Sequence, residues 1–176
     1  MTGDFNILEK KVRSFIRKYY KNQMIRGTIY SVAIILSLFL FIDLIEYFAW
    51  AGTLVRTIIF YGFLFVTLLV LVFNVVIPGI KLAQIGKTLT NEQAARIIGA
   101  YFPNVSDRLL NTLQLRNQIG KDLDQGELSL LEASIDQRSS ELKPIPFQKA
   151  IDLKKNVKHL RYVVPALLAV VVILII

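Results

Sequence analysis

The chain has 176 residues, 54% of them hydrophobic, and a net charge of +8; its mean hydropathy of +0.51 is high for a water-soluble domain of this length. Cysteine is absent, which excludes disulfides and thiolate metal sites. Residues 1–27 carry Lys10, Lys11, Arg13, Arg17, Lys18, Lys21 and Arg26 against Asp4 and Glu9 (net +5), residues 43–56 carry Asp43, Glu46 and Arg56 (net −1), and residues 81–161 hold thirteen Lys/Arg and nine Asp/Glu (net +4), so cations flank one end of each apolar run in the positive-inside manner and no nucleic-acid partner is expected.

The N-terminal arm, 4–26, reads as a helix. Leu8, Val12, Phe15 and Tyr19 fall at i, i+4, i+7 and i+11 with Ile16 beside them, one apolar stripe. Lys10, Lys11, Arg13, Arg17, Lys18 and Lys21 surround it. Two readings stand: a basic amphipathic helix lying apolar side down among lipid headgroups or docking a partner, and a topology anchor packed on the protein's own cytoplasmic region. The first apolar run, 27–42, starts too late for a signal peptide and has no small-x-small site after it. A first span over 27–50 is therefore expected, with Tyr47 and Trp50 in the aromatic belt at its outer end.

Asp43 and Glu46 share a helical face after ~24 Å of rise, near the outer boundary of the hydrocarbon. The connection Ala51-Gly52-Thr53 leads into a second span over 54–77, where Arg56 comes to the height of Glu46. A Glu46–Arg56 ion pair across the hairpin is expected; the sharper alternative makes Asp43 an ion- or proton-coupling carboxylate. Asn74 suits an interhelical hydrogen bond, and Pro78-Gly79 is expected to close the helix.

The central region, 81–161, reads as short helices without strands. Thr90-Asn91-Glu92-Gln93 has the capping-box pattern, followed by Ala94, Ile97, Ile98 and Tyr101 at helical spacing. Pro103 interrupts, and Ser106-Asp107 is expected to cap a helix carrying Leu109, Leu110, Leu113 and Leu115, either as core or as a docking surface. Gly120 and the polar run 121–126 make a loop; a third helix covers 127–142 and ends before Pro144 and Pro146. A last helix begins near Phe147, and Lys149, Lys154, Lys155, Lys158 and Arg161 crowd the approach to the third apolar run with only Asp152 opposing. Lys154, Lys155, Lys158 and Arg161 join the arm's cations as expected lipid-headgroup contacts.

The third run, 162–176, has Pro165 in its first turn and reaches only ~22 Å, short of the ~30 Å hydrocarbon core. A chain-terminal carboxylate there would lie in hydrocarbon, so the expectation is a third transmembrane helix truncated at Ile176 within a longer protein.

Catalytic motifs are missing from the sequence, and no catalytic, cofactor-binding or metal-binding residues are assigned. The lone His159 reads as a surface side chain, and Asp122, Asp124 and Glu127 lack EF-hand spacing. The expected fold class is an all-α membrane protein: a basic amphipathic helix over 1–26, a transmembrane helical hairpin over 27–80, a small cytoplasmic helical domain over 81–161, and the start of a third transmembrane helix over 162–176. The N-terminus and 81–161 are expected in the cytoplasm, making this a multi-pass inner-membrane protein.

The run Ile97-Ile98-Gly99-Ala100-Tyr101-Phe102-Pro103-Asn104-Val105-Ser106-Asp107-Arg108-Leu109-Leu110-Asn111, followed by Leu113-Gln114-Leu115, resembles the cytoplasmic segment of an uncharacterised family of large Bacteroidetes inner-membrane proteins, a domain of unknown function. Pro146-Phe147-Gln148-Lys149-Ala150-Ile151-Asp152 and Arg161-Tyr162 before Pro165 fit the same resemblance. It implies a long extracytoplasmic part after the third span and brings no catalytic residues with it. The expected function is a non-enzymatic anchor or scaffold of a larger envelope protein; the alternative is an accessory subunit of a transport, secretion or ion-driven complex. Expected partners are membrane lipids and other membrane-protein subunits or further copies of the chain, with no small-molecule substrate and no cofactor.

Overall fold

The computed structural model describes residues 3–50, 52–119 and 125–175; Met1, Thr2, Ala51 of the expected hairpin connection, 120–124 with Asp122 and Asp124, and Ile176 lie outside the described residues. The described elements are helical throughout, with no strand: α1 (Gly3–Ala49), α2 (Thr53–Leu71), a π-helical turn (Val72–Val76), α3 (Ile77–Leu82), α4 (Asn91–Tyr101), α5 (Pro103–Gln118), α6 (Gln125–Leu142), 3-10 turns at Phe147–Ala150 and Leu153–His159, and α7 (Leu160–Ile175). Three helical stretches are long and apolar enough to cross a membrane: Gly3–Ala49, Thr53–Leu82 and Phe147–Ile173. The chain divides into two compact units, Met1–Tyr19 with Lys87–Asp152, and Tyr20–Gly86 with Leu153–Ile176.

The arm and the first apolar run are one uninterrupted helix of 47 residues. No proline precedes Pro78, and Gly27 is the only glycine between Gly3 and Gly52, so no residue in it breaks the backbone ladder. The helix stops at Trp50, whose φ of 45° is left-handed, a strained setting for a bulky side chain.

In the first unit the arm's stripe is core. Leu8, Val12, Phe15 and Ile16 are buried, together with Ala94, Ala95 and Ile98 of α4, Leu109 and Leu113 of α5, Ile135 and Leu142 of α6, and Phe147 and Ile151 beyond it. The apolar side of the arm is thus covered by protein and is not presented to lipid. Polar side chains tie the elements together at the edges: the Asp4 amide donates to Asp136 Oδ1 at 3.3 Å, Asp4 pairs with Lys143, and Asn117 Nδ2 donates to Glu92 Oε1 at 3.0 Å. The Arg116 guanidinium lies over the Phe5 ring, 5.4 Å from its centroid.

Helix α4 starts on a full capping box between Thr90 and Gln93. Its buried face is Ala94, Ala95, Ile98 and Gly99, while Tyr101 is exposed, and α5 approaches most closely at Gly99. A Cβ on Gly99 would lie 2.7 Å from Ser106 Cβ. Ser106-Asp107 does not cap α5; the helix begins three residues earlier with Pro103 at its first position, where a missing N–H costs nothing. Ser139 of α6 is fully buried, and its hydroxyl has no hydrogen-bond partner among the described residues. Replacing Ser139 with alanine is therefore expected to leave stability unchanged or raise it by up to about 1 kcal/mol, measured by denaturant unfolding.

In the second unit, contacts at four heights follow one antiparallel register between α1 and the α2–α3 stretch. Arg56 pairs with Glu46, the Phe39 and Phe63 rings meet edge-on at 6.4 Å, Gly27 abuts Asn74, and Met24 Sδ lies 3.8 Å from the Cβ position of Gly79. Pro78 does not close the helix, contrary to expectation. The π-turn at Val72–Val76, where the Ile77 amide bonds Val72 O, absorbs the missing proline N–H, and α3 continues to Leu82. The stop is a Schellman pair: Gln84 N–H to Lys81 O and Ile85 N–H to Ile80 O, with Gln84 left-handed at φ 61°. Pro165 falls within α7 rather than in the first turn of a helix, because α7 starts at Leu160.

Candidate functional site

Charge in the second unit is sorted by its contacts. Asn156 Nδ2 donates to Asn22 Oδ1 at 2.7 Å, Met24 meets Gly79, and Tyr30 meets His159. These contacts bring the stretch of α1 that opens the unit, the end of α3, and the Leu153–His159 turn with the start of α7 to one end of the unit, collecting Lys21, Arg26, Lys81, Lys154, Lys155, Lys158 and Arg161. The opposite end holds Asp43, Glu46 and Arg56.

At the basic end, Tyr30 and His159 are the centre of a polar–aromatic cluster. The Tyr30 hydroxyl and His159 Nδ1 are hydrogen-bonded at 2.9 Å, with ring centroids 4.9 Å apart. Tyr162 stands 6.5 Å from Tyr30, and Arg161 both covers the Tyr162 ring and donates to its hydroxyl at 2.6 Å. His159 is half-buried here, not the surface side chain expected. The signal for this cluster is faint but present: Tyr30 lies one turn past Arg26, and Tyr162 directly follows Arg161, so each helix places an aromatic ring just beyond its last cation.

The expected headgroup cations have different surroundings. Lys11 Nζ donates to the carbonyls of Lys143 and Ile145, Lys18 Nζ donates to Gln148 O at 2.7 Å, and Arg13 pairs with Glu9 at 2.7 Å. The two lysines thereby satisfy carbonyls at and beyond the end of α6. Lys10, Arg17 and Lys21 of α1 are exposed, as are Lys154, Lys155, Lys158 and Arg161.

At the acidic end Arg56 Nε lies 2.9 Å from Glu46 Oε1. Asp43, one turn inward, is half-buried and forms no ion pair among the described residues. Double-mutant cycles on Glu46→Gln and Arg56→Gln, read from thermal unfolding in detergent, should show the double variant more stable than the sum of the singles by about 0.2–1 kcal/mol. A coupling indistinguishable from zero would make the pair incidental to stability. No group of His, Cys, Asp or Glu among the described residues has the arrangement to hold a metal ion. Compared with known family models, curated proteins and solved structures, the chain matches none.

Proposed function

We propose that this chain is a non-enzymatic inner-membrane anchor and scaffold module of a larger envelope protein, with a transmembrane hairpin and a third span holding a small helical domain at the cytoplasmic face. The observation that carries the reading is the charge sorting of the second unit, seven cations at one end of three apolar helices against Asp43, Glu46 and Arg56 at the other. Under the positive-inside rule the basic end is cytoplasmic, as are the N-terminus and residues 81–161. The larger envelope protein rests on the family resemblance. Scaffolding rests on the first unit, whose charged side chains join one helix to another, as Asp4 joins Lys143 and Arg108 joins Glu141.

The absence of native cysteine makes the test direct. With Thr53→Cys and Gln93→Cys placed singly, a membrane-impermeant maleimide should label the first on intact spheroplasts and the second only after permeabilisation. Reversed labelling overturns the orientation, and recovery of the protein in a carbonate wash overturns the membrane assignment.

A second reading, an accessory subunit of a transport, secretion or ion-driven complex, is supported by Asp43, a half-buried carboxylate one turn inside an ion pair. It predicts that Asp43→Asn abolishes transport while leaving the complex assembled.

A further inference from the structure

One feature of the second unit is not used by an anchor: an open groove of about 670 Å³ along α1, bordered by Tyr162 at the start of α7. Its α1 lining is Tyr30, Ala33, Ile34, Ser37, Leu38 and Phe41, at i, i+3, i+4, i+7, i+8 and i+11, which is a single helical face, and Tyr162 supplies the α7 wall. Along that face the small Ala33 and Ser37 run down one side of the Tyr30–Phe41 line and the larger Ile34 and Leu38 down the other. From Tyr30 to Phe41 the helix rises about 16 Å, close to the depth of one leaflet of a ~30 Å hydrocarbon core. The mouth, at the basic end, is polar: Tyr30, His159 and Tyr162, with the Arg161 guanidinium against the last ring.

We infer that this groove binds one anionic phospholipid, an acyl chain lying along Ala33, Ser37 and Phe41 and the phosphate held at the mouth by Arg161. The inference rests on the membrane reading above and names a ligand for that surface. Charge complementarity chooses the occupant. A neutral transmembrane helix from a partner would gain from the apolar lining but has no use for a cationic mouth, whereas an anionic headgroup above a chain one leaflet long matches both ends of the groove. The Arg161 guanidinium carries five N–H donors, so a phosphate oxygen can accept from it while the Tyr162 hydroxyl also does, and the phosphate adds an ion pair to the hydrogen bond.

The test uses the full chain in mild detergent, delipidated by extensive washing and titrated with lipid under native mass spectrometry. Phosphatidylglycerol should bind once per chain about tenfold more tightly than phosphatidylcholine of the same acyl chains, the selectivity one or two interfacial cations supply. Arg161→Gln should bring the two lipids within about twofold of each other, while Arg56→Gln at the far end leaves the preference intact. Ser37→Trp, which fills the middle of the groove, should weaken both lipids by about tenfold or more, with unfolding temperature checked beside it. Equal affinity for the two lipids in the unaltered chain overturns the inference, as does a Ser37→Trp chain that melts normally and binds normally. Inorganic phosphate competing away the lipid would place the affinity in the mouth alone and also overturn it. Failure of the membrane reading looks different: the chain would then stay monodisperse after complete removal of detergent.

Discussion

Phe15→Ala is expected to destabilise the first unit by about 3–5 kcal/mol, the range for removing a phenyl ring from a packed interior. Phe15 is 0% exposed and is flanked along its helix by Leu8, Val12 and Ile16, all buried with residues of α4, α5 and α6. A domain of this size has only about 5–15 kcal/mol of total stability, so the loss removes a large fraction of it. Hydrogen exchange on the whole chain reads this most clearly, because the stripe lies in α1 while the amides that would lose protection lie in α4 to α6. Lys10→Ala and Arg17→Ala, on the exposed side of the same helix, should stay within about 0.5 kcal/mol of the parent. The opposite pattern, Phe15→Ala leaving α4–α6 protection unchanged while vesicle binding falls, would return the stripe to the lipid surface and overturn its burial in protein.

That contrast shows where a sequence stops being informative. Spacing at i, i+4, i+7 says that Leu8, Val12 and Phe15 are buried on one face, but an acyl chain and a protein core are equally apolar, so the partner of the stripe is undetermined until residues some 80 positions away are in place. Features held by short paths are far easier to read. Counting outward from a three-residue connection sets Glu46 and Arg56 at one height, because little register error accumulates over so few residues, and Thr90 caps α4 through a bond to Gln93 only three residues on. The three long apolar helices are legible for the same reason: composition within each run decides them. Tyr30 and His159 belong to the other class. They are 129 residues apart, and their hydrogen bond depends on where α7 enters the unit, which no local pattern encodes. At the start of α5, Ser106-Asp107 is a good cap by residue type, yet Pro103 with its fixed φ is a better first residue and begins the helix sooner. Pro78 is the opposite case, a breaker by residue type that the helix passes through, since the turn that accommodates it lies before it and has no composition of its own.

Gly27 is where that turn meets the rest of the unit, and Gly27→Ala is expected to cost about 1–3 kcal/mol despite alanine's higher helix propensity. Pro78 has no N–H to offer the carbonyl of Asn74 four residues earlier, and the Asn74 side-chain amide, expected to bond a neighbouring helix, donates within its own helix to Val70 O at 3.0 Å. The Asn74 carbonyl faces the α1 backbone, which comes close because Gly27 has no side chain: an added Cβ would overlap the carbonyl oxygen and lie 2.9 Å from the carbonyl carbon. A flexible neighbour could rotate away, but this one is backbone inside a π-turn, so relief requires α1 and α2 to separate along their length. Gly62 supplies the internal comparison. It sits in the middle of α2 with nothing within 4 Å of its Cβ position, and Gly62→Ala should be neutral or stabilising by up to about 1 kcal/mol. Thermal unfolding in one detergent separates the two: Gly27→Ala should melt several degrees below the parent and Gly62→Ala at or above it. If the two alanine variants melt together, the approach of α1 to the Asn74 carbonyl is not what holds these helices in register. If only Gly27→Ala falls, the freed carbonyl, the π-turn and the glycine act as one joint. Separation of α1 from α2 would then also lengthen the Glu46–Arg56 distance at the far end, and the coupling energy of that pair should shrink in the Gly27→Ala background.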